Sequence, residues 1–195
     1  MSDFLRDGTG KGFLAKVNSN KRLWVNAESE SIQHLISLND QQAYQCIGVA
    51  NLAAATVVGL HFKNTSSTRN MVITYIRHQI IDSSGGTAFP NVSNYYRIAL
   101  GRTYSSGGSV TTPVNVFAGS GNDAEVTAYQ GAPTLAGTAT EIDRWYTKAE
   151  GDMHAFNKEG AVIIGPNRTM ELSYVGDQTN GILYTRLSFI MKEME

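Results

Sequence analysis

Apolar and polar residues alternate with a period of two along much of the chain, the mark of half-buried strands rather than helices. Val58, Leu60 and Phe62 alternate with Gly59, His61 and Lys63. The polar run from Asn64 to Asn70 reads as a turn, and Met71, Ile73 and Tyr75 open a return strand that ends near Ile81. Two such runs joined by a short polar loop predict an antiparallel pair. Tyr96, Ile98 and Leu100 form the next strand, set between breaks at Ser83–Gly86 and Ser105–Ser109, and Val114 to Phe117 follows. Near the end, Ala161–Ile164 leads through a Gly165–Arg168 turn to Met170, Leu172 and Tyr174. A loop over Gly176–Gly181 precedes a last strand, Ile182 to Met191, with Leu183, Thr185, Leu187, Phe189 and Met191 on one face.

The first 44 residues read differently. Glycines 8, 10 and 12 keep the start extended and pliable. Phe13, Ala15 and Val17, a turn over Asn18–Lys21, and then Leu23 and Val25 predict a hairpin. Glu28 to Tyr44 holds the one helical candidate, through Ile32, Leu35, Ile36 and Leu38, although an extended linker fits it nearly as well. From 119 to 160 period-two runs are scarce, which predicts a long excursion carrying the aromatic pair Trp145-Tyr146. About eight strands follow residue 45, on links too short for helical crossovers, so they pair antiparallel. The expected fold is all-β, an antiparallel β-sandwich of jelly-roll type with an N-terminal arm and hairpin and at most one short helix. Residues 1–44 form the arm, hairpin and linker or helix, and residues 45–195 the sandwich.

Composition narrows the chemistry. Charged residues make up 17% of the 195, net charge is -1, and Lys and Arg do not cluster. Nucleic-acid binding usually needs a basic face, so it is not expected. The apolar run from Ile47 to Leu60 carries Asn51 and Thr56 and, at about 14 residues, is too short to span a membrane. The start has no apolar leader after a charged one, and Cys46 is the single cysteine. A soluble chain made in a reducing compartment is therefore expected, with Cys46 a small core residue.

Known catalytic and cofactor patterns fail on their spacing. Asp7-Gly-Thr-Gly-Lys-Gly12 lacks the hydroxyl after its lysine that a phosphate loop needs, and Phe13 stands where a dinucleotide fingerprint needs glycine. His34, His61, His78 and His154 are isolated, though His61 and His78 lie on one predicted strand pair and could approach each other. Glu125, Glu141, Asp143, Glu150 and Asp152 are the only pool for a carboxylate-driven hydrolase. No catalytic, cofactor-binding or metal residues are assigned, and no cofactor is expected. Tyr95-Tyr96 and Trp145-Tyr146 suit core or interface packing, or stacking on sugar rings.

The opening block, Asp7 to Ser31 (DGTGKGFLAKVNSNKRLWVNAESES), resembles a start common among small virion proteins of tailed bacteriophages, notably capsid decoration (cement) proteins. The resemblance implies a non-enzymatic structural protein on the capsid surface of a virion, made in the host cytoplasm. Its partners would be the major capsid protein and itself, as a homotrimer, with no nucleic acid and no membrane. Candidate contacts to capsid or neighbouring subunits are Phe4, Leu5, Arg6, Phe13, Trp24, Trp145 and Tyr146. The alternative is a tail- or fibre-associated receptor- or glycan-binding module.

Overall fold

A computed structural model of the chain describes residues 4–6, 14–16, 41–53, 55–81, 94–147, 153–158 and 161–194. The chain divides into two units, residues 1–31 and 32–195. In the first, β1 (Phe4–Arg6) pairs antiparallel with β2 (Leu14–Lys16), Leu5 opposite Ala15. Phe4 to Arg6 is thus strand rather than free arm. The expected turn at Asn18–Lys21, the partner run at Leu23–Val25 and most of the helical candidate lie outside the described residues. The last two residues of that candidate, Ala43 and Tyr44, open a strand, and no helix occurs among the described residues.

The second unit is an antiparallel β-sandwich. Its strands are β3 (Ala43–Asn51), β4 (Ala55–Asn64), β5 (Arg69–Ile81), β6 (Tyr95–Leu100), β7 (Thr103–Ser106), β8 (Ser109–Thr111) and β9 (Val114–Asn115). There follow β10 (Val126–Gln130), β11 (Thr134–Ala136), β12 (Thr140–Tyr146), β13 (Met153–Asn157), β14 (Ile163–Ile164), β15 (Thr169–Gly176) and β16 (Ile182–Glu193). One sheet runs β12-β6-β15-β4-β10-β8; the other runs β13-β5-β16-β3-β9, with β14 also on β5. Successive strands β3, β4, β5 and β6 alternate between the sheets, as do β12 and β13, and β15 and β16. The chain therefore crosses the core at almost every one of these connections.

Alternation along each strand decides what fills that core. Leu60, Phe62, Ile98 and Leu172 point inward from the first sheet and meet Ile73, Ile76, Leu187 and Phe189 of the second, all fully buried. Each such side chain contributes about 1.5–3 kcal/mol through the water it leaves. The apolar run from Ile47 to Leu60 is two strands, one per sheet, parted near Leu52. Where these cross, Gly48 of β3 lies against the Gly59 carbonyl and the Leu60 side chain of β4, with no room for a Cβ.

The stretch from 119 to 160, expected as a long excursion, carries four strands, β10 to β13. β12 bulges between Glu141 and Asp143, and its less exposed positions carry Glu141 and Asp143 while Ile142 is exposed, so its apolar pattern does not read as a strand. β7 and β11 form a small separate pair. They enter through Gly101 and leave through Gly137, both at left-handed φ near 95°, which favours glycine. Tyr104 of β7 stacks on Tyr129 of β10, ring centroids 3.7 Å apart.

Replacing Gly48 with alanine is expected to push the sheets apart or force Leu60 off its rotamer. Overpacking of this kind costs about 1–3 kcal/mol, equivalent to a drop of about 2–12 °C in melting midpoint for a chain of this size. Calorimetry of Gly48→Ala checks it; an unchanged midpoint would mean the sheets are not held at this spacing.

Candidate interaction surface

The inner faces of both sheets are filled, so the outer faces are where the chain can meet other molecules. On the second sheet the register arranges outward side chains in rows. Met153, Gln79, Tyr184 and Val49 lie side by side across β13, β5, β16 and β3. The next row is Ala155, Arg77, Arg186 and Ile47. Beyond it come Asn157, Tyr75, Ser188 and Gln45, with Val114 of β9 opposite Gln45. Ile81 and Ile182 pair at the other end.

Large apolar side chains on this face stay in water. Ile47 is 52% exposed, Met153 50%, Ile81 44%, and Tyr184 and Val49 somewhat less. Ile47, Ile81 and Tyr184 line a shallow depression of about 220 Å³ with Arg77, Gln79, Thr185 and Arg186. Single exposed apolar residues need no explanation, but a contiguous patch with a polar rim marks a binding surface. Sequence reading missed this site. β5 and β16 were legible, but β3 merged into a longer apolar run and β13 lay in the expected excursion. Which residues share a row also depends on register, and the two arginines are isolated along the chain.

The outer face of the first sheet is built otherwise. Glu171 of β15 is buried and accepts hydrogen bonds of 2.6 Å from Arg97 Nη2 of β6 and from Arg102 Nε and Nη2. His61 Nε2 lies 3.1 Å from the Arg102 carbonyl oxygen. Burial holds His61 below its ordinary pKa, against the opposing pull of that carbonyl and of Glu171. The cluster ties the segment entering β7 to β15. With both carboxylate oxygens engaged it reads as a structural clamp, since breaking such a buried set by removing one partner is strongly destabilising.

The candidate residues from sequence fall in different places. Phe4, Leu5 and Arg6 lie in β1, whereas Phe13 and Trp24 are outside the described residues. Trp145 and Tyr146 are in edge strand β12, not in a loop. Trp145 stacks on Phe156 of β13 at 3.9 Å, and Lys158 Nζ sits 4.7 Å from its ring centroid. Lys158 also donates to Asp143 Oδ2 at 2.6 Å, so this seam joins the edges of the two sheets. Tyr146 is exposed beside Tyr95, over whose ring the Arg144 guanidinium lies. Glu141 pairs with Arg144, and Glu125 lies 3.9 Å from Arg69. Glu150 and Asp152 are outside the described residues.

The strand pair on which His61 and His78 could have approached each other does not form, because β4 and β5 lie in different sheets. His61 faces outward on β4, while His78 points into the core on β5, with His154 of β13 directly opposite. His78 stacks on Tyr96 at 4.8 Å and hydrogen-bonds Thr185 Oγ1 through Nδ1 at 3.1 Å. No group of three or more metal-ligating side chains forms among the described residues. Cys46 is buried, and burial raises its thiol pKa, which fits the inert core role. Comparison with known proteins finds no matching family model, no matching curated protein and no matching solved structure.

Burial lowers the His78 pKa from 6.5 to about 3, with His154 adding to the shift. The folded chain refuses a proton that the unfolded chain accepts, so this contribution is complete above pH 6.5 and is lost as pH falls toward 3. The slope is at most about 1.4 kcal/mol per pH unit. Urea unfolding between pH 7.5 and 5 should show stability falling with pH, and falling less steeply in His78→Phe. Equal slopes would contradict the assignment.

Proposed function

We propose that the chain is a non-enzymatic structural protein that works by docking the outward face of its β13-β5-β16-β3 sheet on another protein. The observation that carries this reading is the depression lined by exposed Ile47, Ile81 and Tyr184, with exposed Val49 and Met153 on the same face. In the setting that the opening block resembles, the partner is the major capsid protein, and the chain is a decoration protein of a tailed-phage head. The eight strands β3 to β6, β12, β13, β15 and β16, in sheet orders β13-β5-β16-β3 and β12-β6-β15-β4, support a jelly roll.

Such a protein acts by mass action. Binding only the assembled lattice stabilises it over free subunits, and a homotrimer adds avidity because later contacts become intramolecular. Self-association would use a different surface; the exposed apolar side chains Val110, Val116 and Phe117 are the candidate. A glycan-binding module is the second reading. It retains exposed Tyr146 beside Tyr95, whereas Trp145 is occupied by Phe156 and Lys158.

Quantitative mass spectrometry of purified virions checks the proposal. Copy number of the same order as the major capsid protein is expected. A handful of copies per particle would move the chain to neck, tail or fibre and favour the glycan-binding reading.

A further inference from the structure

The docking face carries a feature that folding alone does not account for. Arg77 of β5 and Arg186 of β16 stand directly opposite each other in the register. Like charges in that relation destabilise a sheet. No carboxylate occupies any of the outward positions in the rows around them, from Ile81 and Ile182 through to Asn157 and Gln45. Arg77 Nη2 donates to Gln79 Oε1 at 3.2 Å, and neither arginine has an ion-pair partner among the described residues. The contrast lies on the opposite side of the same sandwich, where Arg97 and Arg102 are neutralised by Glu171.

Resting on the reading of this face as a docking surface, we infer that the arginine pair is a receptor for a carboxylate side chain of the partner protein, presented between aliphatic residues. Both arginines line the same depression, so each can donate charge-assisted N–H bonds to one carboxylate seated there, and such bonds are about twice as strong as neutral ones. Ile47, Val49, Ile81 and Tyr184 around them would exclude water from that contact and take the aliphatic flanks. Charge complementarity selects this occupant over a second copy. Two copies stacked face to face about a two-fold axis would bring four guanidiniums together. The apolar surroundings and the net charge of -1 separate the site from a phosphate-backbone binder.

NMR of the full chain tests this through the arginine Nε–Hε and isoleucine methyl signals. The probes are a capped leucine–glutamate–leucine peptide, its leucine–glutamine–leucine counterpart and inorganic phosphate. The glutamate peptide is expected to shift the Arg77 and Arg186 signals together with the Ile47 methyl, saturably. The glutamine peptide should bind at least about fivefold more weakly. In Arg186→Gln the preference for glutamate should vanish while the thermal midpoint of the free protein rises by about 1–3 °C, since the like-charge pair is gone. Equal shifts from both peptides would overturn the carboxylate receptor and leave the docking face intact. Tighter saturation by phosphate would reassign the pair to a phosphoanion. No shift at any face residue with either peptide would overturn the receptor and the docking surface alike.

Discussion

The close approach of β3 and β4 at Gly48 governs the rest of the sandwich. With only hydrogen on Gly48 facing the Gly59 carbonyl and the Leu60 side chain, the two sheets come near enough for Leu60, Phe62, Leu187 and Phe189 to fill the space between them. Among the described residues the inward positions are then taken mainly by apolar side chains, with the His78–Thr185 pair and Asn64, which donates across to the Ile164 carbonyl, as hydrogen-bonded exceptions. A sheet whose inner face is fully used can act only through its outer face, its edges and its loops. The edges differ in this respect. The β12 and β13 edges are joined by Trp145, Phe156, Lys158 and Asp143, which removes one open side of the sandwich as a pairing template.

The two outer faces show how the same residue type serves opposite ends. On the first sheet, Arg97 and Arg102 surround a buried carboxylate, and the β7–β11 pair enters beside them. Removing one member there would leave an uncompensated buried charge. On the second sheet, Arg77 and Arg186 stand opposite each other with no ion-pair partner among the described residues, a relation that costs a sheet stability. Residues that lower stability without a structural return commonly mark function. The carboxylate receptor is inferred from that asymmetry.

Much of the fold was legible in the sequence because period-two patterning survives wherever a strand has one wet face. Leu60 and Phe62, Ile98 and Leu100, and Leu172 and Tyr174 all lie in the strands their alternation indicates. Patterning failed where the wet face was itself apolar, as at Ile47 and Val49, or where the strand was short or its alternation polar. Ala43 to Asn51 merged with the next strand into one apolar run, and its first residues resembled a helix end. β12 was hidden by the charged residues Glu141 and Asp143 at its less exposed positions, and β10 and β11 by their brevity. The candidate site was scarcely legible. Arg77 and Arg186 are more than a hundred residues apart, and only the β5–β16 register places them together. The aromatic pair that stood out in sequence, Trp145-Tyr146, instead splits between an inter-sheet seam and the surface.

The account's central claim is that the β13-β5-β16-β3 face is covered when the protein does its work. Hydroxyl-radical footprinting of the chain in purified particles, against the free chain, tests this most directly, because Met153 and Tyr184 lie on that face and Tyr104 and Tyr146 lie elsewhere. The account predicts strong protection of Met153 and Tyr184 with Tyr104 and Tyr146 labelled as in the free chain. Unprotected Met153 and Tyr184 in chains that are demonstrably particle-bound would contradict it.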